Sequence, residues 1–293
     1  MDGSRDAVAG TGVLVAAIRA RESARPDRLF DDPFAARLAG TDGMSMLDAA
    51  IATAGEQSTA EIIIRTRFFD DELLRATTTA RQVVILAAGL DARAYRLAWP
   101  AETSVYELDQ PQVIAAKDAL LADAEPTARR VPIGVDLTTD WSPGLLAAGF
   151  DPHAPSVWLI EGLLQYLDEA AVRTVFDRVS ALSAAGSVAL YDVVGKVLLD
   201  SPVMAPLLES MAARGAPWLF GTDEPGDLLQ RHGWTAAVTD VGELGAAWNR
   251  WSAPTAPLSV PGLPRGYLVA ATASVDGREG REGKHRATTS FRS

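Results

Sequence analysis

The chain contains no cysteine among its 293 residues. This absence excludes disulfide bonds, thiolate metal sites and cysteine nucleophiles. Histidine is scarce as well: the three histidines are His153, His232 and His285, and none of them stands at the spacing of paired metal ligands. We therefore predict that the protein holds no metal ion.

Long apolar runs are also missing, since no stretch approaches the roughly 20 residues needed to span a bilayer. Residues 1–6 carry acids among their few charges, and no apolar core of signal-peptide length follows them. An excess of positive charge is missing too, because the net charge is −11 and a general nucleic-acid binder is expected to be basic. We expect a cytoplasmic protein that partners neither a membrane nor a nucleic acid.

The residues that are present change their pattern near position 79. Before it, apolar residues recur at helical spacing and no stretch resembles a strand. After it, strand-like apolar runs alternate with helical patterns, which predicts a parallel sheet covered by helices on both faces. The expected strands are 82–87, 103–108, 130–135, 156–160 and 187–191.

This change of pattern predicts a helical N-terminal cap over residues 1–78 and a larger α/β domain over 79–273. A helical insertion is expected at 196–232 within the larger domain. Two late runs near 235–239 and 266–272 are expected to form an antiparallel edge. Residues 274–293 are polar and charged, and we expect a disordered tail there.

A glycine turn and a distant carboxylate give the strongest functional signal. Gly89 ends the run VVILAAG, and Asp109 closes the next apolar run 20 residues later. Such a turn lets the backbone approach a ligand, and a carboxylate at this interval can accept both hydroxyls of a ribose. A dinucleotide site needs two further glycines, and Asp91 would repel a pyrophosphate. The pattern indicates a nucleoside without phosphates, which points to S-adenosylmethionine, although the turn alone is as consistent with an ordinary strand-to-helix connection.

Further polar residues stand where other predicted strands end. Asp136 and Leu137 are candidates to bind the adenine, with a helix N-cap as the alternative for Asp136. Glu161 directly follows a buried run and is a candidate for the amino group of a methionine moiety, with a structural salt bridge as the alternative. Glu107 shares the strand face of Asp109, and its alternative is an edge residue that faces solvent.

The carboxylate of a methionine moiety is well bound by an arginine, whose guanidinium can donate two parallel hydrogen bonds to it. Arg65 and Arg67 lie on the helix before the first strand and can reach the edge of the sheet. Arg93 and Arg96, just after the glycine turn, are rival candidates.

Together these segments resemble the leucine carboxyl methyltransferase family, and especially its bacterial S-adenosylmethionine-dependent branch, from about residue 11 to residue 272. The similar segments are RTRFFD at 65–70, LAAGLDAR at 86–93, ELDQP at 107–111, VDL at 135–137 and EGLLQYL at 161–167. One departure is Ala87, which stands where the family often has a first glycine.

The resemblance implies a seven-stranded, Rossmann-like methyltransferase sheet with a helical N-terminal cap. It also implies roles for individual residues in binding S-adenosyl-L-methionine. These are Arg67 for the carboxylate, Gly89 for the path of the cofactor, Asp109 for the ribose, Asp136 and Leu137 for the adenine, and Glu161 for the amino end.

We expect methyl transfer to an oxygen of a small-molecule carboxylate or hydroxyl, in secondary metabolism. The family's eukaryotic enzymes methylate a protein's C-terminal carboxylate, whereas bacterial relatives often serve secondary metabolism. The alternatives are a nicotinamide-dependent oxidoreductase and a non-catalytic protein that binds S-adenosylmethionine. A carboxylate acceptor needs no general base, so the scarcity of histidine favours it over a hydroxyl.

The acceptor pocket is expected between the N-terminal helices and the insertion at 197–219. Met204, Met211, Trp218 and Phe220 are available there, with a role in the core as their alternative. Tyr191 and Asp192 end the fifth predicted strand and are candidates to face the acceptor, with packing and a helix cap as alternatives. The sequence identifies no catalytic residue.

Overall fold

Three long helices precede the sheet in the computed structural model, which describes residues 3–274 and their side chains from residue 11 onward. They are α1 (Gly3–Ser23), α2 (Ala35–Ala54) and α3 (Ala60–Ala76), and a 3-10 turn, Glu56–Thr59, precedes α3. Gly40 interrupts α2 with a φ of 58°, so α2 is a kinked helix. The tail predicted at 274–293 lies outside the described residues apart from Ser274.

Seven strands form one mixed sheet, as the sequence and the resemblance predict, with helices on both faces. The strands are β1 (Gln82–Leu86), β2 (Ser104–Asp109), β3 (Arg129–Gly134), β4 (Ser156–Ile160), β5 (Val188–Val194), β6 (Trp234–Asp240) and β7 (Gly266–Ala273). Their order is β3-β2-β1-β4-β5-β7-β6. The first five are parallel, and β7 lies antiparallel to both β5 and β6, which confirms the predicted antiparallel edge.

Shorter helices connect the strands. They are α4 (Arg93–Arg96), α5 (Pro111–Leu120), α6 (Ser142–Ala147), α7 (Glu169–Ala181), α8 (Lys196–Leu199), α9 (Ala205–Ala213), α10 (Asp227–Gln230) and α11 (Val241–Ala247). Their starts follow local chemistry: Pro111 opens α5 at its first position, and the Asp168 carboxylate accepts a hydrogen bond from Ala171 N, 2.8 Å away, at the start of α7.

Alternating side chains of the buried strands supply two apolar cores. On β1, Val83 and Ile85 face the core shared with α1, α2 and α3, while Val84 and Leu86 face the core shared with α7. The N-terminal helices therefore pack directly onto one face of the sheet, and the domain boundary near residue 78 stays a prediction. No helix within residues 3–274 is both long enough and apolar enough to cross a membrane.

The carboxyl ends of β3, β2, β1, β4 and β5 stand in that order along one edge of the sheet. We call these strand ends and the loops that follow them the rim. Open parallel sheets bind their ligands outside the carboxyl ends of the strands, so the rim is the place to look for the site.

Candidate functional site

The turn after β1 is fastened to the end of β2. Gly89 N donates to Asp109 Oδ2 at 2.7 Å, and Gln110 N donates to Asp109 Oδ1 at 2.6 Å. Burial raises the pKa of Asp109 above its ordinary value, although these two amide donors act in the opposite direction. Each carboxylate oxygen keeps further lone pairs, so Asp109 can still accept hydrogen bonds from a diol.

The backbone of this turn is left-handed at two positions, with a φ of 53° at Ala87 and 47° at Gly89. Glycine tolerates that region, whereas an L-residue such as alanine pays roughly 1–2 kcal/mol there. A Cβ added at Gly89 would stand 3.9 Å from the Ala87 carbonyl oxygen, its nearest neighbour beyond the two adjoining residues. The space beside Gly89 is therefore open, as a ligand path requires.

Asp91 is largely buried and ionised at the end of the same turn. Its carboxylate accepts from Arg93 N at 2.6 Å and pairs with the Arg93 guanidinium. Burial by itself raises the pKa of Asp91, but the charges of Arg93 and Lys117 outweigh it and lower the pKa to about 2. A fixed negative charge at this turn disfavours phosphate, in agreement with the predicted phosphate-free nucleoside.

Glu161, directly after β4, lies between two arginines. Arg65 Nε donates to its Oε1 at 2.9 Å and Arg93 Nη1 donates to its Oε2 at 2.6 Å. Burial would raise the pKa of Glu161, but Arg93 and Arg65 outweigh it and hold the pKa below the ordinary value. Glu161 thus forms the salt bridge that was its alternative interpretation, while it also stands at the rim as predicted.

Arg65 also connects the ends of β4 and β5. Its Nη1 donates to Asp192 Oδ2 at 3.0 Å, and Asp192 Oδ1 accepts from Gly162 N at 2.7 Å. Gly162 has a φ of 64°, and a Cβ there would stand 3.3 Å from Arg65 Nη2. A glycine at this position leaves room beside the guanidinium.

Arg67 is not part of this cluster. Its guanidinium bonds the Asp71 carboxylate at 2.7 Å and the Leu29 carbonyl, and its side chain is 41% exposed against 9% for Arg65. Two residues along a helix are about 200° apart, so only one of the two arginines can face the sheet. Arg65 shares the buried stripe of Phe69 and Leu73 at four-residue spacing, and this signal in the sequence distinguishes it from Arg67.

A chain of buried charges joins the rim to the N-terminal helices. Arg93 pairs with Asp70 at 2.7 Å, Asp70 with Arg96 at 2.7 Å, and Arg96 lies 3.6 Å from Asp32. The last member of this network is Arg19 of α1, which lies 2.9 Å from Asp32. Arg19 also donates to the Leu90 carbonyl at 2.8 Å. No local pattern in the sequence predicts this network, because its members are far apart along the chain.

Asp136 and Leu137 follow β3 beside the end of β2, where Val135 N donates to the Asp109 carbonyl at 2.7 Å. Asp136 Oδ1 accepts from Thr138 N at 3.0 Å and from Thr138 Oγ1 at 2.7 Å. Asp136 therefore caps a turn and not a helix, since α6 begins only at Ser142. The structure brings Asp136, Leu137, Asp109, Gly89 and Glu161 to one rim, and leaves Arg67 outside their hydrogen-bonded contacts.

The sequence profile of the leucine carboxyl methyltransferase family matches residues 12–180, which is more than half of the chain. The chain belongs to the leucine carboxyl methyltransferase family. A relative from Mycobacterium avium is 39% identical over 301 residues, covering 91% of this chain and 94% of its own length. One from Mycobacteroides abscessus is 38% identical over 290 residues, covering 89% and 94%. Both are named as S-adenosyl-L-methionine-dependent methyltransferases.

A third relative, from Mycolicibacterium smegmatis, is 49% identical over 193 residues, which is 61% of this chain and 64% of that protein. The fold resembles a methyltransferase structure from Thermobifida fusca, with a TM-score of 0.57 and 18% identity, covering 85% of this chain and 94% of the other. The protein is an S-adenosyl-L-methionine-dependent methyltransferase. The predicted alternative of a nicotinamide-dependent oxidoreductase is therefore set aside.

Glu107 of the methyltransferase does not face solvent, so its alternative interpretation is wrong. It is fully buried, 2.8 Å from Lys117 Nζ and 2.7 Å from Arg130 Nε. The reason is the strand order: β2 is an interior strand, and α5 covers the face on which Glu107 lies. Lys117 Nζ also donates to the Asp91 carbonyl at 3.1 Å, so the Glu107–Lys117 pair helps to hold the turn after β1 in place.

The two candidates at the end of β5 to face the acceptor, Tyr191 and Asp192, are already engaged. The Tyr191 hydroxyl donates to the Pro225 carbonyl at 2.7 Å, and Asp192 holds Arg65 and Gly162 N. His153 is exposed before β4, and His232 pairs with Asp177 at 3.1 Å. His285 lies outside the described residues.

A cavity of about 500 Å³ lies between α1, the start of α3 and residues 249–252 of the methyltransferase. Ile63, Arg250 and Trp251 are among its lining residues, and none of the predicted site residues is. We therefore keep the rim as the candidate site, because the chemistry of the family motifs lies there.

Proposed function

We propose that this methyltransferase transfers the methyl group to an oxygen of a small molecule, a carboxylate or a hydroxyl, in cytoplasmic secondary metabolism. The observation that carries the proposal is the rim itself: a carboxylate with free acceptor capacity, an open glycine turn and an arginine with room beside it. Their spacing along the sheet suits one extended ligand in which a nucleoside is joined to an amino acid, as in S-adenosyl-L-methionine.

The order of the strands suggests how the cofactor lies. Asp136 and Leu137 after β3 would bind the adenine, Asp109 after β2 the ribose, and Gly89 after β1 would line the path to Glu161 after β4. Neighbouring strands are about 4.8 Å apart, so four adjacent strand ends extend over about 14 Å. An extended S-adenosyl-L-methionine fits along such a line.

We further propose Arg65, in place of Arg67, as the group that binds the methionine carboxylate. Its Nη2 lies against the gap left by Gly162, while its other two nitrogens hold Glu161 and Asp192. A fork that is already fixed by two carboxylates loses little side-chain freedom when it binds a third. Glu161 keeps its proposed role toward the amino group, and Arg67 remains the competing assignment.

The charge balance of the rim suits a cationic ligand. Four carboxylates stand against three cationic side chains: Asp91, Asp109, Glu161 and Asp192 against Arg65, Arg93 and Lys117. When bound, S-adenosyl-L-methionine supplies a methyl group on a positively charged sulfur that leaves as a neutral thioether. The chain's own contribution is to align the acceptor oxygen with that methyl group and to exclude water.

A carboxylate acceptor is favoured over a hydroxyl. A carboxylate is already an anion at neutral pH, whereas a hydroxyl needs a general base. Among the described residues, the acids nearest the proposed methyl position, Glu161 and Asp192, are both bound by arginine.

The test has two stages. Calorimetry of S-adenosyl-L-methionine binding should show at least a tenfold weaker affinity for Asp109→Ala, because hydrogen bonds to a charged group contribute about 1.5–3 kcal/mol each. Asp177→Ala, which removes an exposed carboxylate on α7, serves as the control. Undiminished binding to Asp109→Ala would refute the site.

Turnover is then assayed with isotopically labelled cofactor against carboxylated metabolites, hydroxylated metabolites and a peptide with a free C-terminal carboxylate. Methyl esters are recognised by their loss in mild base, which ethers survive. Methylation of the peptide alone would show a protein-directed enzyme and refute the small-molecule proposal.

A further inference from the structure

We propose that Gln165 and Trp218 recognise the methyl acceptor, and that this acceptor is a planar aromatic compound with both a hydroxyl and a carboxylate. The inference rests on the proposed cofactor position. If the cofactor occupies the rim from β3 to β4, its methionine end is next to β5. The acceptor must then approach beside the loop after β4 and the connection after β5.

Backbone hydrogen bonds join these two segments. Leu219 N donates to the Gln165 carbonyl at 2.6 Å, and Thr222 N donates to the Val194 carbonyl at 3.0 Å. The rings of Tyr166 and Trp218 meet edge to face, with centroids 6.4 Å apart. The connection after β5 therefore runs across the ends of β4 and β5 and places Trp218 against the turn that carries Gln165.

Both residues hold a buried polar atom without a partner among the described side chains and backbone. Gln165 is 6% exposed and its Oε1 accepts no hydrogen bond, while the Nε1 of Trp218 donates none. An unsatisfied buried polar group lowers stability by about 1–3 kcal/mol and is uncommon in native proteins. Two such atoms on adjoining segments beside a reaction centre are suited to a substrate that satisfies both.

The covering segment has little packing to lose if the acceptor displaces it. Neither α8 nor α9 contains a buried residue, and Val203 between them is 85% exposed. Segments with few buried contacts open at low free energy. α8 and α9 can therefore move without disturbing the apolar cores, while the buried Ala216 and Phe220 anchor the end of the connection near Trp218.

The two atoms define the chemistry of the acceptor. Gln165 Oε1 requires a donor such as a hydroxyl, and Trp218 Nε1 requires an acceptor such as a carboxylate oxygen. The rings of Tyr166 and Trp218 offer edges and faces to a flat apolar body. A site that is built to bind a polar group rejects analogues without it, because its own buried atom then stays unpaired.

The probe is 4-hydroxybenzoate, with benzoate and phenol as analogues that each lack one polar group. Dissociation constants are measured by ligand-observed NMR on protein loaded with S-adenosylhomocysteine, for wild type, Gln165→Leu and Trp218→Phe. We expect wild type to bind 4-hydroxybenzoate, and each variant to bind it about tenfold more weakly. Gln165→Leu should leave benzoate affinity unchanged, and Trp218→Phe should leave phenol affinity unchanged.

Thermal unfolding separates this role from a structural one. Gln165→Leu removes the unsatisfied oxygen and should leave the Tm unchanged or raise it by about 2 °C, whereas Trp218→Phe also removes ring volume and is judged by its affinities. Trp141→Phe is the matched control, because Trp141 Nε1 is also buried without a described partner but packs against Trp158 beneath the sheet. It should leave 4-hydroxybenzoate affinity unchanged.

Three results would overturn the proposal: no binding of 4-hydroxybenzoate by wild type, equal binding by the variants, or a lowered Tm together with weakened cofactor affinity. Calorimetry with S-adenosylhomocysteine is run first on every protein. A wild type that binds no cofactor product would refute the proposed function, whereas a wild type that binds it, together with any of the three results, refutes only the acceptor assignment.

Discussion

The two ends of the proposed site are built in opposite ways. On the cofactor side, Arg65, Arg93 and Glu161 are nearly buried and each is held by two or more oppositely charged groups. On the acceptor side, α8 and α9 contain no buried residue, and two buried polar atoms of the adjoining segments lack described partners. The contrast suggests that one end is preorganised for a fixed ligand and the other completes its contacts only when the acceptor binds.

The largest expected effect tests the rigidity of the cofactor side. Arg93→Met removes a charge that pairs with Asp70, Asp91 and Glu161, and leaves three carboxylates without it. Breaking a buried ion pair in this way destabilises by about 3–5 kcal/mol. We expect urea unfolding to show a loss of that size.

The matched control lies on the acceptor side. Lys196→Met in α8 breaks an exposed salt bridge with Asp200, and such pairs contribute about 1 kcal/mol or less. Equal losses for the two variants would contradict the contrast between the two ends.

The second effect is a pH dependence. Burial raises the pKa of Asp91, yet Arg93 and Lys117 bring it down to about 2, below its unfolded value near 3.8. A lowered pKa adds stability that is complete above the unfolded value and is lost as the pH falls from about 4 toward 2. The full contribution is about 2 kcal/mol, of which about 1 kcal/mol is lost by pH 3.

Asp91→Asn should lose this contribution at pH 7 already and should show a shallower fall in unfolding free energy between pH 5 and pH 3 than wild type. Asp200→Asn, an exposed carboxylate of the acceptor side, should keep the wild-type slope. Parallel curves for wild type and Asp91→Asn would show that Asp91 is not the titrating group.

A third effect separates the two faces of α3. Arg65→Lys keeps the charge but cannot hold Glu161, Asp192 and a ligand carboxylate together, so we expect about tenfold weaker S-adenosyl-L-methionine binding by calorimetry. Arg67→Lys should change the affinity by less than twofold, because Arg67 faces Asp71 and Leu29. The reverse pattern would restore the assignment of Arg67 that the family resemblance implies.

Some features of the fold and of the candidate site could be predicted from the sequence, and others could not. The alternation of strands and helices predicted the sheet, because buried parallel strands show as apolar runs. The interval from Gly89 to Asp109 predicted that both residues serve one nucleoside site, and the structure brings them together at the rim, with Gly89 N 2.7 Å from Asp109 Oδ2. Both signals are local in the chain.

The charge network could not be predicted in this way. Arg65 and Asp192 are 127 residues apart, and Arg93 and Glu161 are 68 residues apart, so no spacing rule connects them. Helical periodicity would have shown that Arg65 shares the buried stripe of α3. That Glu107 is buried follows only from the position of β2 within the sheet and from Lys117 on α5.

The smallest effect concerns Ala87, where the family often has glycine. Its left-handed φ of 53° disfavours an L-residue by roughly 1–2 kcal/mol, while glycine adds unfolded-state entropy of roughly 0.5–1 kcal/mol. Ala87→Gly should therefore stabilise the protein by about 0.5–1 kcal/mol and raise the Tm by about 2 °C. On the acceptor side, Ala212→Gly in α9 should destabilise by about 0.5–1 kcal/mol, because the same change there weakens a helix. Stability changes of opposite sign for Ala→Gly at the two positions would show that the backbone strain is confined to the cofactor turn. A loss of stability in Ala87→Gly would contradict this, and would mean that packing of the alanine methyl group outweighs the strain.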